Sequence, residues 1–179
     1  MNLLDAITNS QGSPVSQMAR QFGLDESTVT NVMQQFLPAL TNGVKKNVQQ
    51  EGGLDSLFSA LNQGGHERYL DEPDRLTPPE SVQDGNNILE HLLGSKQVSR
   101  ELAARTSQRT GVDSSLLKQM LPMVAGLVMG SLNKQTRSMG VNNSAQASSS
   151  LGSLMSLLDA DGDGSVVDDL LGLASRFLR

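Results

Sequence analysis

Along residues 113–133, DSSLLKQMLPMVAGLVMGSLN, apolar side chains fall on every side of a helical wheel from Leu116 onward. A helix that is apolar all round is normally a buried one. The segment is therefore predicted to be a central helix that the remaining elements surround. Its unbroken apolar run, Met120 to Leu132, is too short to span a bilayer and follows Lys118 and Gln119, so a core helix is preferred to a membrane span. Elsewhere the pattern is one-sided. Leu3, Leu4 and Ile7 share a side of a short opening helix, 1–8, that is too small to stand without docking. Ser13 is a good N-cap, Pro14 stands at the favoured first helical position, and the next helix runs to Phe22 before Gly23 supplies a left-handed C-terminal residue. Asp25 caps a long helix that continues past Pro38, where it should bend, and ends near Gly52 and Gly53. Leu57, Phe58 and Leu61 mark a short helix stopped by Gly64 and Gly65. A loop rich in charge and proline follows, then a helix from about Glu80 to Leu93, closed by Gly94.

Composition narrows the class. Aromatic residues are 3% of the chain and β-branched runs are short, so the protein reads as all-α. A chain of 179 residues is long enough for one sizeable core, or for one domain with a small appendage. The absence of cysteine excludes disulfides, thiolate nucleophiles and zinc-thiolate sites. The N-terminus MNLLDAITNS carries Asp5 and neither a basic start nor a long apolar stretch, which is not a secretory signal; a cytoplasmic location is expected. A net charge of -5 and a pI near 4.9 argue against broad, non-specific nucleic-acid binding, which depends on Lys and Arg neutralising phosphates.

Ala19, Gly23 and Val29 stand at the offsets of a helix-turn-helix unit: a small residue for close packing, a glycine turn, and an apolar core residue, with Met18, Leu24 and Val32 as further core positions. Such a unit reads either as a DNA-recognition device or as a packing unit with no DNA role. Charge favours packing, because the helix from Glu26 onward has no Lys or Arg until Lys45 and opens on a carboxylate that phosphates would repel. A DNA-binding face would have to be assembled from Arg20, Lys45, Lys46, Arg100, Arg105 and Arg109. The unit also recurs. GLDESTV at 23–29 parallels GVDSSLL at 111–117, and each leads to a Leu-Pro step, Leu37-Pro38 and Leu121-Pro122. Two kinked helices, near 26–49 and 114–134, are then expected to pack together, with Gly43, Gly126 and Gly130 permitting close approach of their backbones.

The repeated turn, the stretch GGHERYLDEP at 64–73, Asp84-Gly85-Asn86 and GSKQVS at 94–99 together resemble the bacterial domain of unknown function 937, related to YidB-like proteins. The resemblance spans roughly 1–134. It implies a helical, homeodomain-like fold, brings no catalytic residues with it, and extends to an acidic C-terminal segment like that at 159–173; the recurring unit adds the expectation that this fold is built from two helix-turn-helix-like repeats. His66 and His91 are the histidines and Tyr69 the tyrosine of the chain. General acid-base work by either histidine would need a carboxylate or nucleophile brought close in space.

After the duplicated core, 1–134, residues 135–150 (QTRSMGVNNSAQASSS) read as a flexible linker, and 151–179 as a helix-loop-helix tail whose exit helix carries Leu170, Leu171, Leu173 and Phe177. Between those tail helices, Asp159, Asp161 and Asp163 stand at the first, third and fifth positions of an EF-hand-like loop, with Gly164 at the sharp turn and Ser165 at the backbone-carbonyl position. Alternating carboxylates surround a hard cation with oxygen, and calcium is the expected ion. The twelfth position is Leu170 rather than Glu, so Asp169, Asp168 or water would close the site. Taken together, the sequence reads as a non-enzymatic binding or structural module with a calcium-responsive tail, the alternative being a DNA-binding regulator. No nucleophile, phosphate loop or clustered histidine and carboxylate set supports an enzyme. A protein partner or self-association is expected, nucleic acid is disfavoured by charge, and no membrane contact is expected.

Overall fold

A computed structural model of the chain describes residues 13–76 and 78–141, together with the single positions 7, 143, 145, 146 and 152. Among the described residues there are seven α-helices and one short 3-10 turn, and no strand: α1 Pro14–Phe22, α2 Glu26–Gln49, α3 Gly53–Gly64, α4 Arg68–Asp71, the 3-10 turn Pro73–Leu76, α5 Pro79–Leu93, α6 Lys96–Thr110 and α7 Ser114–Ser138. The protein is all-α. Of the short opening helix predicted at 1–8, Ile7 is the described residue; it is helical and fully buried.

Local signals set the helix ends. The Ser13 hydroxyl accepts from the Ser16 N–H at 3.3 Å and Pro14 opens α1, which closes on Gly23 at φ 65. Asp25 caps α2 by accepting from the Thr28 N–H at 2.8 Å and from the Thr28 hydroxyl at 2.7 Å, while the Ser27 hydroxyl donates to the same carboxylate. The bonds from Ser27 and Thr28 hold the Asp25 carboxyl well below the usual carboxylate range. Similar punctuation occurs later in the chain: α6 closes on Gly111 at φ 74, and Asp113 caps α7 by accepting from the Ser115 N–H at 2.8 Å. Pro38 and Pro122 lie inside α2 and α7, and Val29 and Leu117 are both fully buried.

Packing makes α7 the centre. Every residue from Met120 to Asn133 is buried. By length and composition alone this helix could cross a membrane, with mean hydropathy 1.3, yet 78% of that window is buried inside the fold. Its most extensive neighbour is α5, followed by α6, whereas α2 packs on α5, α3, α1 and α6 and meets α7 less extensively. The glycines expected between α2 and α7 serve other contacts. A Cβ on Gly43 would lie 2.4 Å from the Leu92 carbonyl oxygen of α5, one on Gly126 3.3 Å from the Tyr69 ring, and one on Gly130 2.4 Å from the His66 carbonyl oxygen. A tight backbone approach to α7 is made by Gly85 of α5, whose Cβ would stand 2.1 Å from the Pro122 carbonyl oxygen.

The charged stretch after Gly65 is also more ordered than a loop. Tyr69, Leu70 and Leu76 are each 1% exposed, and these apolar anchors wind 68–76 into α4 and the 3-10 turn against the core. At the other end α7 continues to Ser138, beyond the expected boundary at 134, because Thr136 is buried and donates to the Asn133 carbonyl at 2.9 Å.

Candidate functional site

Helices α3 and α5 both pack on α2 and α7 but have little direct contact with each other. The gap between them is a groove of about 360 Å³. Leu57, Ile88, Leu92 and Met129 give it an apolar floor, and Ala60 stands on its rim. Asn47 closes one end: its amide donates to the Gly43 and His91 carbonyls, each at 2.9 Å, tying α2 to the last turn of α5.

His66 supplies the polar wall. Gly65 turns the chain at φ 53, and Gly64 leaves space for the imidazole, since a Cβ there would lie 1.9 Å from Nε2. Gly130 of α7 admits the His66 backbone, and the residue ends 4% exposed. Its Nδ1 is buried without a hydrogen-bond partner and stands 3.7 Å from Oδ2 of Asp84, beyond hydrogen-bond reach. Asp84 is held from the opposite side. Its Oδ2 accepts from the Tyr69 hydroxyl at 3.0 Å and lies 3.5 Å from Nη2 of Arg68, which also donates to the Tyr69 oxygen at 3.1 Å. The Arg68 guanidinium sits 5.0 Å from the Tyr69 ring centre, and the Tyr69 and His66 rings stack at 5.9 Å.

Burial sets the protonation of this group. It pushes the His66 imidazole below its ordinary 6.5, with Asp84 pulling the other way and Arg68 adding to the depression. Burial likewise pushes the Tyr69 hydroxyl up. At neutral pH the imidazole on the groove wall is thus neutral, one nitrogen a donor and the other an acceptor, with Nδ1 buried behind a partly exposed carboxylate.

The sequence shows these residues dispersed over 66–91, and the fold gathers them. His91 and His66 both line the groove, and Asp84 is the carboxylate brought near His66. The legible signal was the pair of motifs at 64–73 and 84–86. Of the positions predicted for a helix-turn-helix, Met18, Ala19, Val29 and Val32 are buried and Gly23 is exposed, while Glu26, Ser27, Asn31 and Gln34 are also exposed. The Ser16 hydroxyl donates to the Glu26 carboxylate, which stays at the head of α2. Of the cations considered for a DNA face, Arg105 pairs with Glu101 and Arg109 bonds Gln35. Asp159, Asp161, Asp163, Ser165 and Asp169 lie outside the described residues. Among the described residues no three His, Asp or Glu side chains gather in a metal-binding group.

A profile of the bacterial proteins of unknown function called DUF937 matches residues 5–135. The chain belongs to the DUF937 family. No curated protein and no solved structure matches it. The DUF937 segment contains α1 to α6 whole and all but the last turn of α7, so the His66 and Asp84 groove lies entirely inside it, while the acidic tail lies beyond.

Proposed function

We propose that this DUF937 protein is a non-enzymatic helical binding module, and that its groove between α3 and α5 takes a small molecule with an apolar body and one hydrogen-bonding end. The observation that carries the reading is His66, buried with Nδ1 unpartnered on the wall of an apolar-floored groove. A buried polar atom left without a partner costs about 1–3 kcal/mol, and pockets that hold small ligands combine an apolar lining with a few convergent polar groups. An amide or hydroxyl lying against the His66 and Asp84 pair would bond the partly exposed carboxylate and, with a small turn of the imidazole, Nδ1, while its chain covers Leu57, Ile88 and Met129. Octanamide is a suitable probe. Amide NMR shifts at His66, Asn87 and Met129 should saturate on titration, and Ala60→Trp, which fills the exposed rim, should remove the response at an unchanged melting temperature. Absence of saturable shifts, or shifts indifferent to Ala60→Trp, would reject the groove as a site.

The core carrying the groove is read as two homeodomain-like, helix-turn-helix-like repeats; its support is the matched glycine stops at Gly23 and Gly111 and the matched caps at Asp25 and Asp113. The tail is read as a calcium site of Asp159, Asp161, Asp163, the Ser165 carbonyl and Asp169, supported by the spacing of those residues. Isothermal titration should give one calcium per chain with a dissociation constant on the order of 10 µM to 1 mM. Joint Asp159→Ala and Asp163→Ala substitution should abolish it, and no heat at several millimolar calcium would show that Leu170 in place of Glu has disabled the loop.

A further inference from the structure

Helix α5 has a second cleft on its other side. This one, of about 330 Å³, opens between α5, α6 and the first turns of α7. Lys96 and Arg100 reach it from one side of α6, four residues apart, and Lys118 reaches it from α7. Among the described residues none of these three cations stands within 4.0 Å of a carboxylate, although Lys118 acts electrostatically on Asp113, whereas Arg68, Arg75, Arg105, Lys134 and Arg137 are each paired. Gln83 and Asn86 add amide donors from α5, and the N-terminus of the 15-residue α6 brings its positive end. Glu90 is the one carboxylate on the lining. Three cations line the cleft with one carboxylate, and Asp113 acts on Lys118 from outside the lining, so on a chain of net charge -5 the local balance is still positive.

We propose that this cleft binds a phosphate monoester. A carboxylate offers two oxygens, which Arg100 alone could engage in a bidentate pair. A phosphoryl group offers three, so that Arg100 can take two while Lys96, Lys118 and the amides share the remaining lone pairs. The volume leaves room for the organic part of the ester, and Glu90 limits the charge the site tolerates. The cleft shares Asn87 with the α3/α5 groove but uses none of that groove's chemistry, so either site can fail without the other.

The test is titration of the full chain with methyl phosphate at constant ionic strength, read by amide NMR. Saturable shifts should map to 96–100 and 118, with a dissociation constant on the order of 1 mM; Arg100→Gln or Lys118→Gln should weaken binding about tenfold, and Glu90→Gln should tighten it about threefold. All three positions are exposed, so the variants should keep the wild-type fold. Co-sedimentation with vesicles of phosphatidate in phosphatidylcholine, against phosphatidylcholine alone, separates the sources. Loss of vesicle binding in the same variants identifies a lipid headgroup, whereas methyl phosphate binding without vesicle binding identifies a soluble ester. The proposal is overturned if shifts spread evenly to Arg20 and Lys46, if neither charge-neutralised variant changes affinity, or if neither probe binds.

Discussion

Gly85→Ala sets two effects against each other within α5. The position is helical and has no positive φ, so alanine should favour the helix by roughly 0.5–1 kcal/mol through backbone entropy. Against this, the new Cβ would stand 2.1 Å from the Pro122 carbonyl oxygen, 2.5 Å from its carbon and 2.8 Å from its Cα. These are backbone atoms of the buried central helix, so no side chain can rotate away. Relief requires α5 and α7 to move apart, opening the most extensive helix contact in the fold. Overpacking of this kind costs about 1–3 kcal/mol, and contact with rigid backbone belongs at the upper end of that range. The clash therefore wins, with a net loss of about 1–2.5 kcal/mol once the helix-propensity gain is subtracted, or a fall of about 2–4 °C in Tm for each kcal/mol at this chain length. Urea unfolding followed by circular dichroism at a fixed protein concentration measures it. Asn86→Ala, on the exposed neighbouring residue, is the control and should stay within about 0.5 kcal/mol of wild type. A Gly85→Ala protein as stable as wild type would refute the reasoning, because α5 could not then lie at backbone distance from Pro122.

Val29→Ala and Leu117→Ala each truncate a fully buried side chain and should each cost roughly 2–4 kcal/mol; an unchanged melting curve for Val29→Ala would mean that the first helix-turn-helix-like unit is not packed. The folded imidazole of His66 titrates below 6.5, so the unfolded chain takes up the proton first as pH falls. The contribution of His66 to stability is thus complete above about pH 6.5 and is lost as pH drops through the folded value. Thermal melts of wild type and His66→Gln between pH 5 and 8 should show a steeper decline in wild type over this window, and parallel curves would contradict the assignment. Gly23→Ala and Gly94→Ala, at positive φ with open space around them, should each destabilise by about 1 kcal/mol through strain alone, so a gain in stability at either would show that the left-handed turn is not required.

Helix ends were legible because their determinants lie within a few residues of each other. Ser13 with Pro14, Asp25 with Thr28, and the stops at Gly23, Gly94 and Gly111 act through bonds that the local backbone already brings into range. The buried status of α7 was legible for a related reason: a helix apolar on all sides has no face to give to water, whatever its neighbours are. What the sequence left open was which surfaces meet. Gly43, Gly126 and Gly130 announce close approach, but a missing Cβ carries no record of the atom that fills its place, and only the packed structure puts Leu92, Tyr69 and His66 there. The stretch after Gly65 reads as a loop rich in charge and proline because charged residues surround its few apolar ones. Its burial depends on Tyr69, Leu70 and Leu76 finding the core formed by residues distant in the chain. The groove follows from the same cause. His66 and Asp84 are 18 positions apart on different elements, and their 3.7 Å separation exists because Gly130 admits one segment and Gly85 the other to the surface of α7. Periodicity and capping are short-range properties that a sequence carries in itself; the pairing of groups across a core is decided by tertiary packing, where complementary shape selects the partner.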